Sequence, residues 1–198
     1  MFGGGRIPQY ASRHAAGCDL YATEDMEIKP GETKIMPLNF FMAIDADMEA
    51  QIRPRSGLSL KTELRVPNAP GTIDSDYRDE VGVILQNTYN IADLAYQIAQ
   101  KPQILEELYR NYREVELWEY ISLCKGATLT AASNLQISRQ KIYIDDKGNP
   151  YGTIYIRKGE RIAQMVFCQY KRANFIPHPD PREIGEDRGG GFGHTGKK

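Results

Sequence analysis

The residues best suited to chemistry lie between Val66 and Val81, V-P-N-A-P-G-T-I-D-S-D-Y-R-D-E-V. This stretch is too irregular for a helix and too polar for a core strand. Gly71 and the two prolines predict a tight hairpin that fixes Asn68, Asp74 and Tyr77 relative to one another. A carboxylate held in such a turn, Asp74, can take a proton from a water aimed at an electrophile, which requires only hydrogen-bond reach and a suitable pKa. Asp76 is either its helper or a turn residue. Tyr77 offers a flat apolar face that can pack against a sugar and exclude a ribose 2'-hydroxyl, or can serve as a core aromatic. Asn68 carries a paired donor and acceptor that match one edge of a pyrimidine.

A second group is Arg53-Pro54-Arg55-Ser56-Gly57-Leu58-Ser59. Arginine supplies a fixed fork of donors for phosphate oxygens, serine a hydroxyl, and glycine lets backbone N–H groups approach an anion; the same residues also suit a structural turn. A third, Gly159-Glu160-Arg161-Ile162-Ala163-Gln164, reads as the start of a strand, with Gln164 placed to donate to a phosphate. The last residues, from Arg188 to Lys198, fit G-x-x-x-x-G-K only superficially: Lys198 stands where serine or threonine is needed, and a P-loop is rejected. What is left is a glycine-rich arm with one arginine and one ring, suited to closing over a base and its phosphates, or a tail without function. His14, His178 and His194 show no metal-ligand spacing with one another or with the cysteines, so a protein-built zinc site is not expected. A metal that activates phosphate would be Mg2+, carried largely by the substrate's own oxygens.

These groups must be positioned by short strands. Met26-Glu27-Ile28-Lys29-Pro30-Gly31, Lys34-Ile35-Met36-Pro37-Leu38, Phe40 to Ile44 and Glu49 to Arg53 alternate between turn signals, as in an all-β barrel or sandwich. Val81 to Leu85 and Arg161 to Tyr170 continue the pattern. From Asn90 to Lys125 the period becomes helical and predicts a helical pair, with Asn90 as N-cap, Pro102 in the first turn of the second helix, Glu106–Arg110 and Arg110–Glu114 as i,i+4 pairs and Gly126 as the stop. Beyond it, Lys141-Ile142-Tyr143-Ile144 and Thr153-Ile154-Tyr155-Ile156 flank a polar hexapeptide and predict a hairpin over about 136–156. Residues 180–198 lose all periodicity and predict a flexible arm.

With 198 residues the chain suits one domain carrying a sizeable insertion, and its net charge of -1 excludes a global basic field for nucleic acid. Three scattered cysteines without C-x-x-C spacing suit a reducing compartment. No stretch approaches the roughly 18 to 20 apolar residues of a membrane span, and the beginning lacks the apolar run of a signal peptide, so a soluble cytoplasmic protein is expected.

Taken in order, these segments resemble the five motifs of the trimeric dUTPases. Ala15-Ala16-Gly17-Cys18-Asp19-Leu20-Tyr21-Ala22 is similar to the first, Pro54 to Leu58 to the second, and Asn68 with Gly71 to Arg78 to the third. Gly159 to Gln164 is similar to the fourth and Arg188 to Gly196 to the fifth, leaving 88–153 as an insertion. The resemblance implies a jelly-roll β fold, a homotrimer with sites at subunit interfaces, and Mg2+-dependent hydrolysis of dUTP to dUMP and pyrophosphate. By position it makes Asp74 the base that orients water, with Ser56 as a further catalytic residue. Tyr77 would lie under the deoxyribose and Asn68 would read uracil. Arg55, Ser56 and Gln164 would hold phosphates, and Gly57, Gly71, Thr72 and Ile73 would complete the nucleotide site. Asp19 would reach the Mg2+ through water. From another subunit's arm, Arg188 would meet the γ-phosphate and Phe192 the uracil, beside Gly193 and His194.

The sequence departs from the family in three places. Asp79 stands where glycine is usual, a position Asp would fill if the turn needs φ > 0. The fifth motif is one residue short between Arg188 and Phe192, and His194 replaces a serine. Two other functions suit the same scaffold: a regulatory or binding protein working through the insertion, and a dCTP deaminase, against which the Asp74 and Tyr77 pattern and the glycine-rich arm argue.

Overall fold

The computed structural model describes residues 5–125 and 136–187. Within it, alternating sequence becomes antiparallel sheet. The first half forms β1 (Gln9–Tyr10), β2 (Gly17–Tyr21), β3 (Met26–Ile28), β4 (Thr33–Pro37), β5 (Met48–Arg53), a short helix α1 (Ser56–Lys61), β6 (Leu64–Arg65), β7 (Gly71–Ile73) and β8 (Gly82–Asn87). After them come α2 (Leu94–Gln100), α3 (Gln103–Asn111), β9 (Arg113–Glu116), α4 (Leu117–Lys125), β10 (Lys141–Ile144), β11 (Ile154–Ile156) and the long β12 (Arg161–Gln169). One sheet has the order β1-β2-β12-β5-β7, and β4-β8-β6 and β11-β3 complete the barrel-like body around one apolar core. In β8 the inward positions are Val83, Leu85 and Asn87, and in β5 they are Ala50 and Ile52, as a period of two requires. No helix among the described residues is long and apolar enough to cross a membrane.

Four expectations need correction. Phe40 to Ile44 has the burial rhythm of a strand, with Phe40 in the core and Met42 and Ile44 packed against it, but joins no sheet among the described residues. The Val66–Val81 stretch is a wide connection instead of a tight hairpin. Its ends β6 and β8 pair as Leu64↔Asn87 and Arg65↔Gln86, while β7 peels away to pair with β5 in the other sheet. The helical pair is three short helices broken by β9, because Tyr112 and Val115, which continue the helical count, are extended. Glu114 therefore meets Lys141 across a strand pair instead of Arg110, whose partner is Glu106 at 3.3 Å. The 136–156 hairpin does not form either: β10 pairs with β9, and β11 pairs with β3 of the body. Gly148 and Gly152, both with φ above +75°, turn the chain between the two sheets.

Asn90 does cap its segment, its side chain accepting from the Ala92 N–H, and Pro102 stands immediately before α3. The 88–153 segment has its own small core in the buried Ile104, Leu108, Val115 and Ile144. It is tied to the body by Asn87, fully buried, which donates to the carbonyls of Ile28 at 2.9 Å and Gly152 at 2.8 Å and accepts from Tyr89 N–H. Above that clasp Tyr151 stacks edge-on with Tyr89 and Tyr112.

Candidate active site

The five-stranded sheet brings three of the sequence groups to one end. Asp19 of β2 lies opposite Gln164 of β12, and Gln164 lies opposite Arg53 of β5, whose chain continues into Pro54, Arg55 and α1. Asp19 holds two arginines, one on each carboxylate oxygen: Arg55 Nε at 3.1 Å and Arg161 Nη1 at 3.2 Å. Arg55 also donates to the Arg161 carbonyl, and Gln164 Nε2 donates to the Pro54 carbonyl at 2.9 Å. The result is a half-exposed patch of two guanidinium groups and an amide, braced from below by one carboxylate, which is suited to gripping phosphate oxygens. Beside it α1 begins at the exposed Ser56 and Gly57 with no side-chain cap and no acid in its first turn.

Gly17 explains why the first motif has a glycine there. A Cβ at that position would come within 2.8 Å of Gln164 Oε1. Cys18, between Gly17 and Asp19, points into the core and donates to the Met165 carbonyl; burial pushes its thiol up, which makes it a packing residue and no nucleophile.

Asp74 sits elsewhere. The register Ala50↔Ile73, Gln51↔Thr72, Ile52↔Gly71 places Asp74 beside Glu49, at the far end of β5 from Arg55. The four steps from Glu49 to Arg53, at ~3.3 Å each, separate these ends by roughly 13 Å. There Asp74 lines an open cavity with Glu49, Ser75, Asp76, Tyr170 and Arg172. A four-residue turn follows, closed by Tyr77 N–H on the Asp74 carbonyl, and Arg78 Nη1 donates to the carbonyls of Ser75 and Tyr77. Tyr77 is about two-fifths exposed and its hydroxyl donates to the Glu80 carbonyl at 2.9 Å. Asn68 is exposed before β7, its amide nitrogen so close to Gly71 that a Cβ there would meet it at 2.8 Å. Thr72 faces outward and Ile73 packs on the core. Asp79 has ordinary backbone, since Asn39 is the only described non-glycine residue with positive φ, so the substitution at Asp79 needs no left-handed turn.

Within one chain, then, Asp19, Arg55, Ser56, Gly57 and Gln164 come together, β7 carries Gly71, Thr72 and Ile73 along β5 from Ile52 to Ala50, and Asp74 with the Tyr77 turn lies at the far end. Arg188, Phe192, Gly193 and His194 lie outside the described residues. Sequence reasoning assigned Arg161 no role. Its only signal was a cation at the start of a strand whose next polar residue is Gln164.

The dUTPase family model matches residues 4–101. The deoxyuridine 5'-triphosphate nucleotidohydrolase of Rickettsia akari is 40% identical over 121 residues, which are 60% of this chain and 79% of that protein. The chain belongs to the dUTPase family. A second relative of the same name, from Nautilia profundicola, is 42% identical over 113 residues, 57% of this chain and 78% of its own. Among solved structures, the dUTPase of Staphylococcus bacteriophage 80alpha with dUPNHPP superposes with a TM-score of 0.65 at 20% identity, over 98% of this chain and 93% of that one. The dUTPase of phage phi11 of S. aureus, a structure that visualises a species-specific insert, does so with a TM-score of 0.59 at 19% identity, over 89% and 90%. The fold of this dUTPase-family chain is thus the dUTPase-like β fold.

Proposed function

We propose that the chain hydrolyses dUTP to dUMP and pyrophosphate by attack of water on the α-phosphate, in a homotrimer whose sites are each built by more than one subunit. The observation that carries this reading is the separation of Asp74 from the arginine patch. A base that aims water at the α-phosphate must stand within about 3 Å of that water, whereas Asp74 and the arginine patch occupy opposite ends of β5. A neighbouring copy that lays its Asp74 turn over this chain's Arg55, Arg161 and Gln164 makes one complete site.

In that site Asn68 pairs with the uracil edge and Tyr77 packs under the deoxyribose. Arg55, Ser56, Arg161, Gln164 and the N–H groups at Gly57 hold the phosphates. Asp74 takes the water's proton as the water oxygen bonds to the α-phosphorus, and pyrophosphate leaves with the electrons of the broken P–O bond. The donors gripping the phosphates stabilise the charge that builds in this step. Gly71, Thr72 and Ile73 shape the floor by their backbone. Arg188, Phe192, Gly193 and His194 follow from the family resemblance as the arm that covers the nucleotide.

Mg2+ fits a substrate-borne place. Among the described residues no cluster of three acidic, histidine or cysteine side chains forms a cage, so Asp19 would meet the ion through water while it neutralises phosphate charge. Two oxygens with two lone pairs each leave Asp19 room to accept from such a water beside its arginines.

The test is incubation with dUTP, dCTP and UTP plus Mg2+, following pyrophosphate and ammonia. dUTP alone should yield pyrophosphate. Ammonia from dCTP would establish a deaminase, and equal turnover of UTP would remove the sugar role of Tyr77. A second reading, a binding surface on the 88–153 segment, is favoured by Tyr96 and Tyr109, which are 69% and 90% exposed on α2 and α3. Phage dUTPases of the 80alpha kind control transfer of virulence genes. Removing residues 90–126 should spare turnover if that surface is separate from catalysis.

A further inference from the structure

Three segments meet behind Tyr77. Leu38 and Phe40 are buried, and both bond to Val81: Leu38 N–H donates to the Val81 carbonyl at 3.0 Å, and Val81 N–H donates to the Phe40 carbonyl at 3.1 Å. Asn39, between them, is thrown into the left-handed region at φ 54. Asparagine takes that backbone at lower cost than most residues. The twist sends the Asn39 N–H to the Glu80 carboxylate at 2.7 Å. Over the same loop runs Gly5, so close that a Cβ there would collide with the Leu38 and Asn39 carbonyls.

We propose that Glu80 is a positioning residue that sets the discrimination between deoxyribose and ribose. The proposal rests on the reading of Tyr77 as the sugar platform. Tyr77 is held at two points, its N–H on the Asp74 carbonyl at 3.1 Å and its hydroxyl on the Glu80 carbonyl at 2.9 Å. The second point is only as rigid as the backbone of Glu80, and the Glu80 side chain pins that backbone to Asn39. A ring that excludes a 2'-hydroxyl does so by standing where that oxygen would go, so a displacement of about 1 Å is enough to admit it. Asn39, Glu80 and the Tyr77 hydroxyl thus form one chain of contacts from the core to the sugar face.

The test is steady-state kinetics with dUTP and UTP on the full-length protein. Glu80→Ala should raise KM for dUTP and lower the dUTP over UTP preference about tenfold, with a smaller change in kcat. Glu80→Gln, which keeps the acceptor oxygen, should restore the preference to near the parental value. Tyr77→Phe removes the same link from its other end, so the double variant Glu80→Ala with Tyr77→Phe should be no less selective than the worse single one. If Glu80→Ala does not fold, Glu80→Asp draws the acceptor back by one methylene and is measured in the same way. An unchanged preference in Glu80→Ala, or in Glu80→Asp where that variant replaces it, while Tyr77→Ala loses the preference, overturns the brace and leaves the platform standing. So does a Glu80→Gln protein as unselective as Glu80→Ala. An unchanged preference in Tyr77→Ala overturns both, and a fall in kcat for the two nucleotides alike would reduce Glu80 to a structural role.

Discussion

Consider two variants, Asp74→Asn and Arg55→Ala, each of which should abolish turnover on its own. The first removes the proposed base, an effect typically of about 10²- to 10⁴-fold. The second removes the fork that Asp19 orients at 3.1 Å and leaves that carboxylate with one arginine. If each site takes Arg55 from one chain and Asp74 from another, co-expression in equal amounts has a calculable outcome. A site works when its Arg55 donor is an Asp74→Asn chain and its Asp74 donor is an Arg55→Ala chain. Each condition is met about half the time under random assembly, so about one quarter of all sites regain both groups, and about one third of those in trimers that contain both variants, each of which has one complete pairing among its three sites. The structure motivates the division, because Glu49 and Arg53 mark opposite ends of β5. The assay is pyrophosphate release by mixed oligomers purified through two different tags, with each variant expressed alone as the baseline. Turnover no higher than that baseline would refute the shared site, since a site contained in one chain cannot be rescued by mixing.

Other consequences can be checked with simpler measurements. Asn87→Ala leaves the Ile28 and Gly152 carbonyls and the Tyr89 N–H without their partner in the interior, and should cost about 4 kcal/mol in urea unfolding; a loss below about 1 kcal/mol would show the clasp to be dispensable. Gly17→Ala should push Gln164 off the Pro54 carbonyl, because its Cβ would lie 2.8 Å from Gln164 Oε1. A fall of about tenfold in dUTP turnover with the fold retained is expected, and parental turnover would separate Gln164 from the site. The tyrosines over the clasp predict an alkaline limit. Burial pushes the Tyr151 hydroxyl up from 10.0 to about 12 and also raises Tyr89 and Tyr112. The unfolded chain releases these protons from pH 10, while the folded chain holds that of Tyr151 until about 12. This stabilisation is therefore complete below pH 10 and lost as pH rises through that window. Ionisation of the Tyr89, Tyr112 and Tyr151 rings, followed by NMR with assigned ring signals together with circular dichroism, should come in step with unfolding, and their ionisation near pH 10 in a folded chain would contradict it.

What could be recognised in the chain depended on how local each signal was. The alternation of Glu49 to Arg53 and of Arg161 to Tyr170 is a property of neighbours two residues apart, and both stretches are strands of the five-stranded sheet. The predicted hairpin of Ile142, Ile144, Ile154 and Ile156 failed because the same period of two says nothing about the partner. Ile144 is buried with Val115 in the small core and Ile156 in the main one, and the two left-handed glycines that redirect the chain read locally as ordinary turn residues. Tyr112 and Val115 misled in the same way, since a helical count cannot register that β10 waits to pair with their strand. The site shows the same limit at longer range. Asp74, Tyr77 and Asn68, proposed for the site, draw notice because they crowd one short stretch. The resemblance sets Asp19 near a metal, and no local signal announces its contacts, which are arginines 36 and 142 residues away. Since either arginine without Asp19 would face its fellow cation unshielded, the carboxylate is the element that lets two positive groups share one phosphate-sized patch, a requirement that exists only once the sheet has closed.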